Sequence, residues 1–461
     1  MSVPSALDPS GDSVLYADPG EVERLRDPLI AAQVQLLARH HPHYRRLFAR
    51  TGVDPDRVRG VVDLARLPVT GKQDFLGDPE SFRLTAPADL PVAERTLAYV
   101  IYTTGTTSGA PAPLYVTTSD DWAYLLHARR CARLLGLGAD EVIANLFPLT
   151  PFPMGARIRA DRTAAAIGAT IFQGHTGRPS PDWPVHRRLD EAIDLVAAHG
   201  ATVLWGVAGF VRRVLIRAAE RGLRLPTVRW CFVTGEATSA AGVEDLRARL
   251  RAVGAETARV ANRYGSTEGW SMIECAEGTG WHNPTPGLIH LETVDAASGE
   301  PVPDGEPGLL LITHLRARGT AFLRYAVGDI VRLTRERCAC GRTAERIVSQ
   351  PVRTKDLVKV NGTLVNLTVL GDALVDLAGV AEYRVVLDHL RPGDALSGDG
   401  VVVEFAPVAG RDADALVSAV RSRIRDLTHL TPEVRVVGVD DIYDPLADAK
   451  PRRLVDRRHV G

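Results

Sequence analysis

The alternation of strand-like and helical segments that begins near Ala98 constrains the fold more than any other feature of this sequence. Apolar runs such as ATVLWGV and VRWCFVTG have the length and composition of buried strands. Amphipathic segments such as RLDEAIDLVAAHG and AGFVRRVLIRAAERG lie between such runs. This repeated β-α order predicts an α/β fold in which helices cover a mainly parallel sheet.

Two later changes of pattern predict further parts of the molecule. After Arg263, segments such as GLLLITHL, joined by turn-rich sequence, predict an antiparallel, β-rich subdomain. Beyond Pro351, short strand-like runs around one helical segment predict a small α+β domain. We therefore expect a large N-terminal domain over residues 1–352, whose first part caps the core, and a small C-terminal domain over residues 353–461.

A Thr-, Ser- and Gly-rich stretch, YTTGTTSGAPAPL, spans Tyr102 to Leu114, and we expect it to join a strand, LAYVIY, to the amphipathic helix that follows. Its small residues let backbone N–H groups approach an anion closely, and its hydroxyls can donate to phosphate oxygens. A Walker-type nucleotide loop is excluded because no lysine follows the second glycine. This chemistry favours a phosphate-binding loop, with a solvated Ser/Thr turn as the alternative. The candidate phosphate-binding residues are Thr103, Thr104, Gly105, Thr106, Thr107, Ser108 and Gly109.

Composition excludes several classes of partner. The formal net charge of -1 gives no electrostatic reason to expect a nucleic acid or an anionic membrane surface as partner.

No apolar run approaches ~18 residues, and the N-terminus lacks a basic region followed by an apolar segment, so we expect a cytoplasmic protein. Five cysteines are too few and too odd in number for a disulfide framework.

Lysine is nearly absent from the sequence. Of 55 basic residues, only Lys72, Lys355, Lys359 and Lys450 are lysines. A compact ammonium group on a flexible stem is what arginine cannot provide. Each remaining lysine is therefore a candidate for a specific role.

Five further motifs follow the loop in order: VTGEATS, RYGSTEG, RYAVGDIVRL, PVRTKDLVKVNGTLV and DAKPRRLVDRR. Each alone has an ordinary explanation as a turn or a solvated charge run. In this order, and with ECAEGTGWH and CACGRT, they resemble the adenylate-forming superfamily of acyl-CoA synthetases, adenylation domains and luciferases. The resemblance is strongest to the phenylacetate–CoA ligase branch and covers nearly the whole chain, from about residue 30 to residue 458.

This resemblance implies a two-step reaction. A small aromatic carboxylic acid attacks the α-phosphate of ATP to give acyl-AMP and pyrophosphate, and a thiol, most often that of CoA, then displaces AMP. Transfer to a carrier-protein thiol or an amine is one alternative, and a nucleotide-binding relative without activity is another. The small C-terminal domain is expected to move between the two steps, and homodimer formation is left open.

The first step brings two anions together, and two unit charges at ~4 Å repel by about 4 kcal/mol at an effective dielectric constant of 20. Cations must therefore be supplied. Glu268 matches the family's Mg²⁺-binding acid, with a plain salt bridge as the alternative. Lys450 matches the lysine that touches both the carboxylate and the α-phosphate, with a surface lysine in a basic tail as the alternative.

The resemblance also assigns contacts to the rest of the nucleotide. Asp329, which we expect in a turn between two strands, should accept hydrogen bonds from the ribose hydroxyls, and Arg353 should contact ribose or phosphate. Lys355 matches the hinge about which the small domain turns. The motif residues expected around ATP are Glu236, Ala237, Thr238, Arg263, Tyr264, Gly265, Ser266 and Thr267.

The acid pocket is matched to the segment NLFPLTPFPMGA and to the strand end VLWGVAGF. Its predicted lining residues are Phe147, Phe152, Gly155 and Phe210. Arginines and a histidine nearby either serve a polar substituent of the acid or are solvated helix residues; they are Arg157, Arg159 and His175.

The sequence departs from the branch pattern at four positions. Ser108 is an extra residue in the loop, Ala110 stands where a long residue is frequent, and Val352 and Ala449 replace glycines. These departures favour a specialised relative over an enzyme for phenylacetate itself. The composition of 51 arginines and four lysines further suggests an acid of secondary metabolism.

A set of soft ligands falls within the β-rich part, at about residues 265–345. Cys275, His282, Cys338 and Cys340 form a C-x6-H and C-x-C pair, and three thiolates with one imidazole suit a tetrahedral structural Zn²⁺. Some members of the branch carry a metal at a matching set. The alternative is reduced, partly buried thiols, and His290 could replace His282 as the fourth ligand.

Overall fold

The computed structural model describes residues 11–85, 88–103, 111–150, 152–177, 186–236, 238–354, 357–360, 363–377, 379–391, 397–428, 430–444 and 451–458. The helices are α1 (Pro19–His40), α2 (Pro42–Thr51), α3 (Lys72–Gly77), α4 (Val92–Arg95), α5 (Thr118–Leu135), α6 (Gly155–Ile167), α7 (Leu189–Ala198), α8 (Ala208–Glu220), α9 (Ala240–Ala252), α10 (Leu367–Val375), α11 (Ala413–Thr428) and α12 (Val439–Ile442). Within those ranges, no helix is both long enough and apolar enough to cross a membrane.

The strands of the first half are β1 (Leu97–Tyr102), β2 (Pro113–Thr117), β3 (Val142–Asn145), β4 (Thr170–Gln173), β5 (Val203–Val207), β6 (Trp230–Thr234), β7 (Arg259–Ser266) and β8 (Trp270–Glu274). Those of the second half are β9 (Trp281–His282), β10 (Ile289–Val294), β11 (Pro307–His314), β12 (Tyr325–Thr334), β13 (Arg346–Ile347), β14 (Val352–Arg353), β15 (Leu357–Val360), β16 (Thr363–Asn366), β17 (Val380–His389), β18 (Asp399–Pro407), β19 (Glu433–Val436) and β20 (Leu454–Asp456).

The chain divides into two compact units, neither of which is continuous in sequence. The first unit comprises Met1–Asp140, Phe152–Thr170 and Arg263–Pro351, and the second comprises Glu141–Pro151, Ile171–Asn262 and Val352–Gly461. The chain passes from one unit to the other at five points, one of which falls within β4 and another within β7. The division into residues 1–352 and 353–461 that the sequence suggests stays a prediction.

The first unit is built on antiparallel strands. Strand β11 pairs with β10 on one side and β12 on the other, with Leu291 opposite Ile312 and Leu311 opposite Ala326. Apolar side chains of α1 and α2, including Leu37, share one core with these strands. The antiparallel, β-rich structure predicted after Arg263 is therefore present.

Two details of the first unit differ from the sequence interpretation. Strands β1 and β2 form an antiparallel hairpin, so the Thr/Ser/Gly loop joins two strands rather than a strand and a helix. Asp329 was expected in a turn between two strands, but β12 is continuous there. The expected turn is a bulge against β11, made possible by Gly328, whose φ of +90° is unfavourable for other residues.

The second unit contains the parallel sheet. Strands β3, β5, β6 and β7 run parallel in register, with Leu204 of β5 between Ala144 and Cys231. Every residue of β5 is buried, as expected for a strand covered on both faces. Helices α7, α8 and α9 connect or follow these strands, which confirms the predicted α/β alternation.

The second unit also holds the C-terminal sheet, ordered β19-β18-β17-β20. Strands β17 and β18 form a long antiparallel pair, whereas β19 and β20 pair with them in parallel. Leu387, Phe405 and Ile424 belong to a separate apolar core formed by this sheet with α10 and α11. The predicted α+β composition of this part is confirmed.

Candidate active site

Glu268 is a buried, hydrogen-bonded acidic residue of the predicted site. It lies in the turn between β7 and β8, and its side chain is only 3% exposed. The hydroxyl of Tyr325 donates to Oε1 at 3.0 Å, and Nζ of Lys72 lies 3.4 Å from the same oxygen. Burial alone would raise the pKa of Glu268, but Lys72 and the Tyr325 hydroxyl lower it below its ordinary value. Glu268 is therefore a buried carboxylate held in its charged form.

Lys72 was not assigned to the site by the sequence motifs. It is the first residue of α3, more than 190 positions before Glu268 in the chain. The signal that could have identified it is the scarcity of lysine, because only four remain among 55 basic residues. A positive charge beside the predicted Mg²⁺-binding acid suits a site that handles phosphates.

Arg159 holds the turn that carries Glu268. Its Nη1 donates to the carbonyl of Ser266 at 3.0 Å, and its Nη2 donates to the carbonyl of Thr267 at 2.6 Å. The hydroxyl of Ser266 also accepts from the Gly269 N–H at 2.8 Å. Arg159 therefore supports this turn rather than being a solvated helix residue, and its contact with a substituent of the acid stays a prediction.

The YG and GD motifs meet in the first unit. The hydroxyl of Tyr264 donates to Oδ2 of Asp329 at 2.7 Å. Gly265 is required by packing, because a Cβ there would lie 2.3 Å from the carbonyl oxygen of Trp270. Arg263 is buried, and its Nη2 donates to the hydroxyl of Ser271 at 2.5 Å.

Two hydrogen bonds between Thr103 and Ala112 close the base of the phosphate loop. Thr103 N–H donates to the carbonyl of Ala112 at 3.0 Å, and the Thr103 hydroxyl accepts from the Ala112 N–H at 2.9 Å. The remaining loop residues, together with Ala237, Lys355 and Lys450, lie outside the described residues. Arg353 ends β14 and is exposed.

The second unit contains the other part of the predicted nucleotide motif. Gly235 follows β6 with a φ of +86°, and the next residue, Glu236, accepts from the Gly209 N–H at 3.0 Å and from Nη1 of Arg453 at 3.1 Å. Burial opposes the charge of Arg453, but Glu382 and Glu236 raise its pKa well above the ordinary value. The carbonyl of Thr238 accepts from the Asn262 amide at 2.7 Å.

The four residues predicted to line the acid pocket are divided between the units. In the second unit, Phe147 and Phe210 are each 1% exposed. In the first unit, Phe152 is 45% exposed and its ring centroid lies 4.9 Å from that of Tyr102. Gly155 begins α6, and a Cβ there would lie 2.9 Å from Thr267 Cγ2.

A largely apolar cavity opens in the first unit beside Glu268, and the sequence did not predict it. Apolar side chains dominate its wall, and they include Ile101, Leu114, Val116, Trp270, Leu288 and Ile289. Thr267, Glu268 and His314 contribute polar groups, and the wall also includes the charged residues Asp120, Arg159 and Arg316.

His314 presents an acceptor atom that no described residue uses. Its Nε2 lies 2.9 Å from the Glu268 carbonyl oxygen, which can only accept, so the ring proton is on Nε2. Burial lowers the pKa of His314 to about 4, so the ring is neutral at pH 7. Nδ1 is buried and has no hydrogen-bond partner among the described residues. A donor from a water molecule or a ligand would satisfy it.

The predicted soft-ligand set is brought together in the first unit. The donor atoms of Cys275, His282, Cys338 and Cys340 all lie within 4.8 Å of one another. Sγ of Cys275 is 3.7 Å from Sγ of Cys338, and a tetrahedral site with Zn–S bonds of ~2.3 Å requires about 3.8 Å. Burial and two nearby arginines lower the pKa of His282 to about 4, which keeps its imidazole neutral.

The alternative histidine is not part of this cluster. Nδ1 of His290 lies 3.1 Å from Nη1 of Arg26 and 3.4 Å from Oε1 of Glu345. These three buried residues form a separate polar network. His282 is therefore the imidazole that the cluster contains.

Comparison with known proteins agrees with the motifs. A family model described as AMP-binding enzyme matches residues 19–315. The phenylacetate-coenzyme A ligase of Thermus thermophilus is 28% identical over 383 residues, covering 80% of each chain. The enzyme of the same name from Escherichia coli is 23% identical over 455 residues, covering 97% of this chain and 98% of the relative.

A solved structure shows the same fold. The crystal structure of 2-hydroxyisobutyryl-CoA ligase in the postadenylation state has a TM-score of 0.79 to this chain, at 19% identity, over 100% of this chain and 94% of that one. The resemblance to adenylate-forming enzymes inferred from the motifs is thus confirmed. Since the family model spans more than half of the sequence, this chain belongs to the AMP-binding enzyme family.

Proposed function

We propose that this protein activates a small carboxylic acid with ATP, releases pyrophosphate, and transfers the acyl group from acyl-AMP to CoA. The observation that carries the proposal is the charged, buried Glu268 at the motif position of the family's magnesium-binding acid. The curated relatives that match most of the chain are phenylacetate-coenzyme A ligases, which supports CoA as the acceptor.

Positive charge for the first step would come from a bound Mg²⁺ ion and from two lysine side chains. Glu268 would hold Mg²⁺ in the complex with ATP, and the ion would neutralise charge on the phosphate oxygens. Lys72 provides a fixed positive charge 3.4 Å from Glu268, and Lys450 is the proposed contact to the reacting carboxylate and α-phosphate. The phosphate loop itself has no lysine, so positive charge beside the phosphates has to come from residues outside the loop.

The cavity beside Glu268 is the proposed site for the apolar part of the acid. Its largely apolar wall suits the hydrocarbon part of an acid, and Thr267 and the proposed Mg²⁺-binding residue Glu268 belong to that wall. Nδ1 of His314 favours an acid that carries a hydroxyl or amino group over one that does not. Arg353 and Asp329 remain the proposed ribose contacts, and Lys355 the proposed hinge.

ATP–pyrophosphate exchange with a panel of acids tests the proposal. The panel should contain benzoic and phenylacetic acids in pairs that differ only by a hydroxyl or amino group. We expect exchange with at least one acid and, in the complete reaction, consumption of CoA in equal amounts with AMP release. Exchange without consumption of CoA would point to a carrier-protein thiol or an amine as acceptor. Absence of exchange with every acid would support the inactive alternative.

We also propose that Cys275, His282, Cys338 and Cys340 hold a structural Zn²⁺. The cluster joins the turn after β8, the short β9 and the segment before β13, which are elements too short to be stable alone. The apparent free energy of binding of structural Zn²⁺ in zinc-finger peptides is about 10–16 kcal/mol. That range is comparable to the total stability of an ordinary domain, about 5–15 kcal/mol.

The zinc proposal predicts one zinc ion per purified chain by elemental analysis. Cys338→Ser should lose most of that zinc and unfold at a lower temperature, because the β9 and β13 segments lose their crosslink. Cys131→Ser is the matched control, since Cys131 is a buried cysteine outside the cluster. Equal zinc content in the two variants would contradict the assignment.

A further inference from the structure

Arg453 links two acidic residues that belong to different parts of the second unit. It immediately precedes β20 and lies three positions after Lys450 in the sequence. Its Nη1 lies 3.1 Å from Oε2 of Glu236, in the predicted nucleotide motif. Its Nε lies 2.8 Å, and its Nη2 3.2 Å, from the two carboxylate oxygens of Glu382 in β17. The Tyr383 ring lies under the guanidinium at 5.2 Å.

The surroundings of Arg453 are shaped to receive it. Glu236 uses the same Oε2 to accept from the Gly209 N–H, at the start of α8, at 3.0 Å. A Cβ at Gly209 would lie 2.9 Å from Nη2 of Arg453 and 2.9 Å from Cγ of Pro451. The absent side chain at position 209 therefore leaves the room that the Pro451–Arg453 segment occupies.

Two further arginines of α8 contact the C-terminal part of the unit. Nη2 of Arg212 donates to the carbonyl of Val380 at 2.6 Å, and its Nε lies 2.7 Å from Oδ2 of Asp245. Arg213 pairs with Asp440 and donates to the carbonyl of Tyr443. The C-terminal sheet has its own apolar core, and these contacts of Arg212 and Arg213 with the C-terminal part are hydrogen bonds and ion pairs. Polar contacts of this kind are typical of interfaces that form and separate.

We propose that Arg453 is a positioning residue for acyl-AMP formation, holding the segment that carries Lys450 beside the nucleotide motif through Glu236. The proposal rests on the function proposed above. Three residues span at most about 11 Å, so anchoring Arg453 restricts where Lys450 can lie. Because coupling between sites is reciprocal, nucleotide bound at the Glu236 motif and docking of this segment should strengthen each other.

Separate measurement of the two half-reactions tests this role. Arg453→Met keeps the length of the side chain and removes its charge, whereas Arg453→Lys keeps the charge and loses the forked geometry. We expect Arg453→Met to slow ATP–pyrophosphate exchange by roughly 30-fold or more, the effect of breaking a buried, hydrogen-bonded charge pair. Arg453→Lys should recover part of this loss. Thioester formation from supplied acyl-AMP and CoA should change by less than about 3-fold, as expected for a residue that acts only in the first step.

Arg457→Met is the matched control, because Arg457 is an exposed arginine of the same segment. It should leave both half-reactions unchanged. Hydrogen exchange at the amides of α8 and β17 provides a readout that needs no activity, and it should be faster in Arg453→Met than in Arg457→Met.

The outcomes separate this proposal from the proposed function. If the wild type shows exchange and Arg453→Met keeps that activity, the positioning role is overturned but the proposed function is not. An equal loss in both half-reactions, with a lower unfolding temperature, also overturns it, because the role would then be structural. A wild type without exchange for any acid refutes the proposed function, and in that case unchanged amide exchange at α8 and β17 in Arg453→Met would refute the anchoring contact as well.

Discussion

Replacing Glu268 by glutamine is expected to slow acyl-AMP formation by at least about 100-fold. The amide cannot offer a charged oxygen to Mg²⁺, and loss of several kcal/mol of charge stabilisation corresponds to a factor of this size. Raising the Mg²⁺ concentration should restore part of the rate, because the remaining ligands bind the ion more weakly. ATP–pyrophosphate exchange at a series of Mg²⁺ concentrations measures both effects.

Lys72→Met is the companion variant, and its effect should depend on pH. Lys72 is the main group that lowers the pKa of Glu268 against the effect of burial, so its removal should raise that pKa. Glu268 must be ionised to bind Mg²⁺, and activity is lost as the pH falls through its pKa. The acidic limb of the pH–rate profile should therefore move to higher pH in Lys72→Met.

Glu306→Gln is the control for the change from carboxylate to amide, because Glu306 is exposed on the same unit. It should keep the activity and the Mg²⁺ dependence of the wild type. If Glu268→Gln kept both as well, with an unchanged unfolding temperature, Glu268 would have to be reassigned as a structural ion-pair partner of Lys72.

The second large effect is expected for Lys450→Ala. Loss of a preorganised donor to the reacting phosphate costs on the order of 10² to 10³ in rate, so exchange should fall by this factor. Thioester formation from supplied acyl-AMP should persist, because that step needs no positive charge between a carboxylate and ATP. A comparison of the two half-reactions in one preparation makes the measurement independent of protein yield.

Arg452→Ala provides the neighbouring control, since Arg452 is an exposed arginine two positions away. If it lowered exchange as strongly as Lys450→Ala, general positive charge of the C-terminal segment would explain both results. A Lys450→Ala variant that forms acyl-AMP at the rate of the parent would remove Lys450 from the mechanism altogether.

The sequence predicted those features that depend on local pattern. The strands around Ala144, Leu204 and Cys231 were predicted because buried parallel strands are short, apolar and followed by helices. The soft-ligand cluster was predicted because three cysteines and one histidine in two segments suit Zn²⁺ and match a set in the family branch, and the structure brings all four donor atoms together. The contact between Tyr264 and Asp329 agrees with their joint assignment to the nucleotide.

Features that depend on distant pairing could not be predicted in this way. Lys72 and Glu268 meet because α3 packs against β12, and no local pattern encodes that contact. The role of Arg159 in holding the Ser266–Glu268 turn was missed because an arginine on a helix is usually solvated. The bulge at Asp329 was interpreted as a turn because glycine followed by aspartate favours either structure.

Because Thr103 and Ala112 hydrogen-bond to each other at the base of the loop, the pairing of the two strands does not depend on the length of the loop. The two ends of the loop are already held together by these hydrogen bonds. An added residue such as Ser108 therefore lengthens the loop at a cost in loop-closure entropy of about 0.1 kcal/mol. The pairing of Ile101 with Leu114 need not shift. Evolution can therefore vary the length of this loop without disturbing the pairing of β1 with β2.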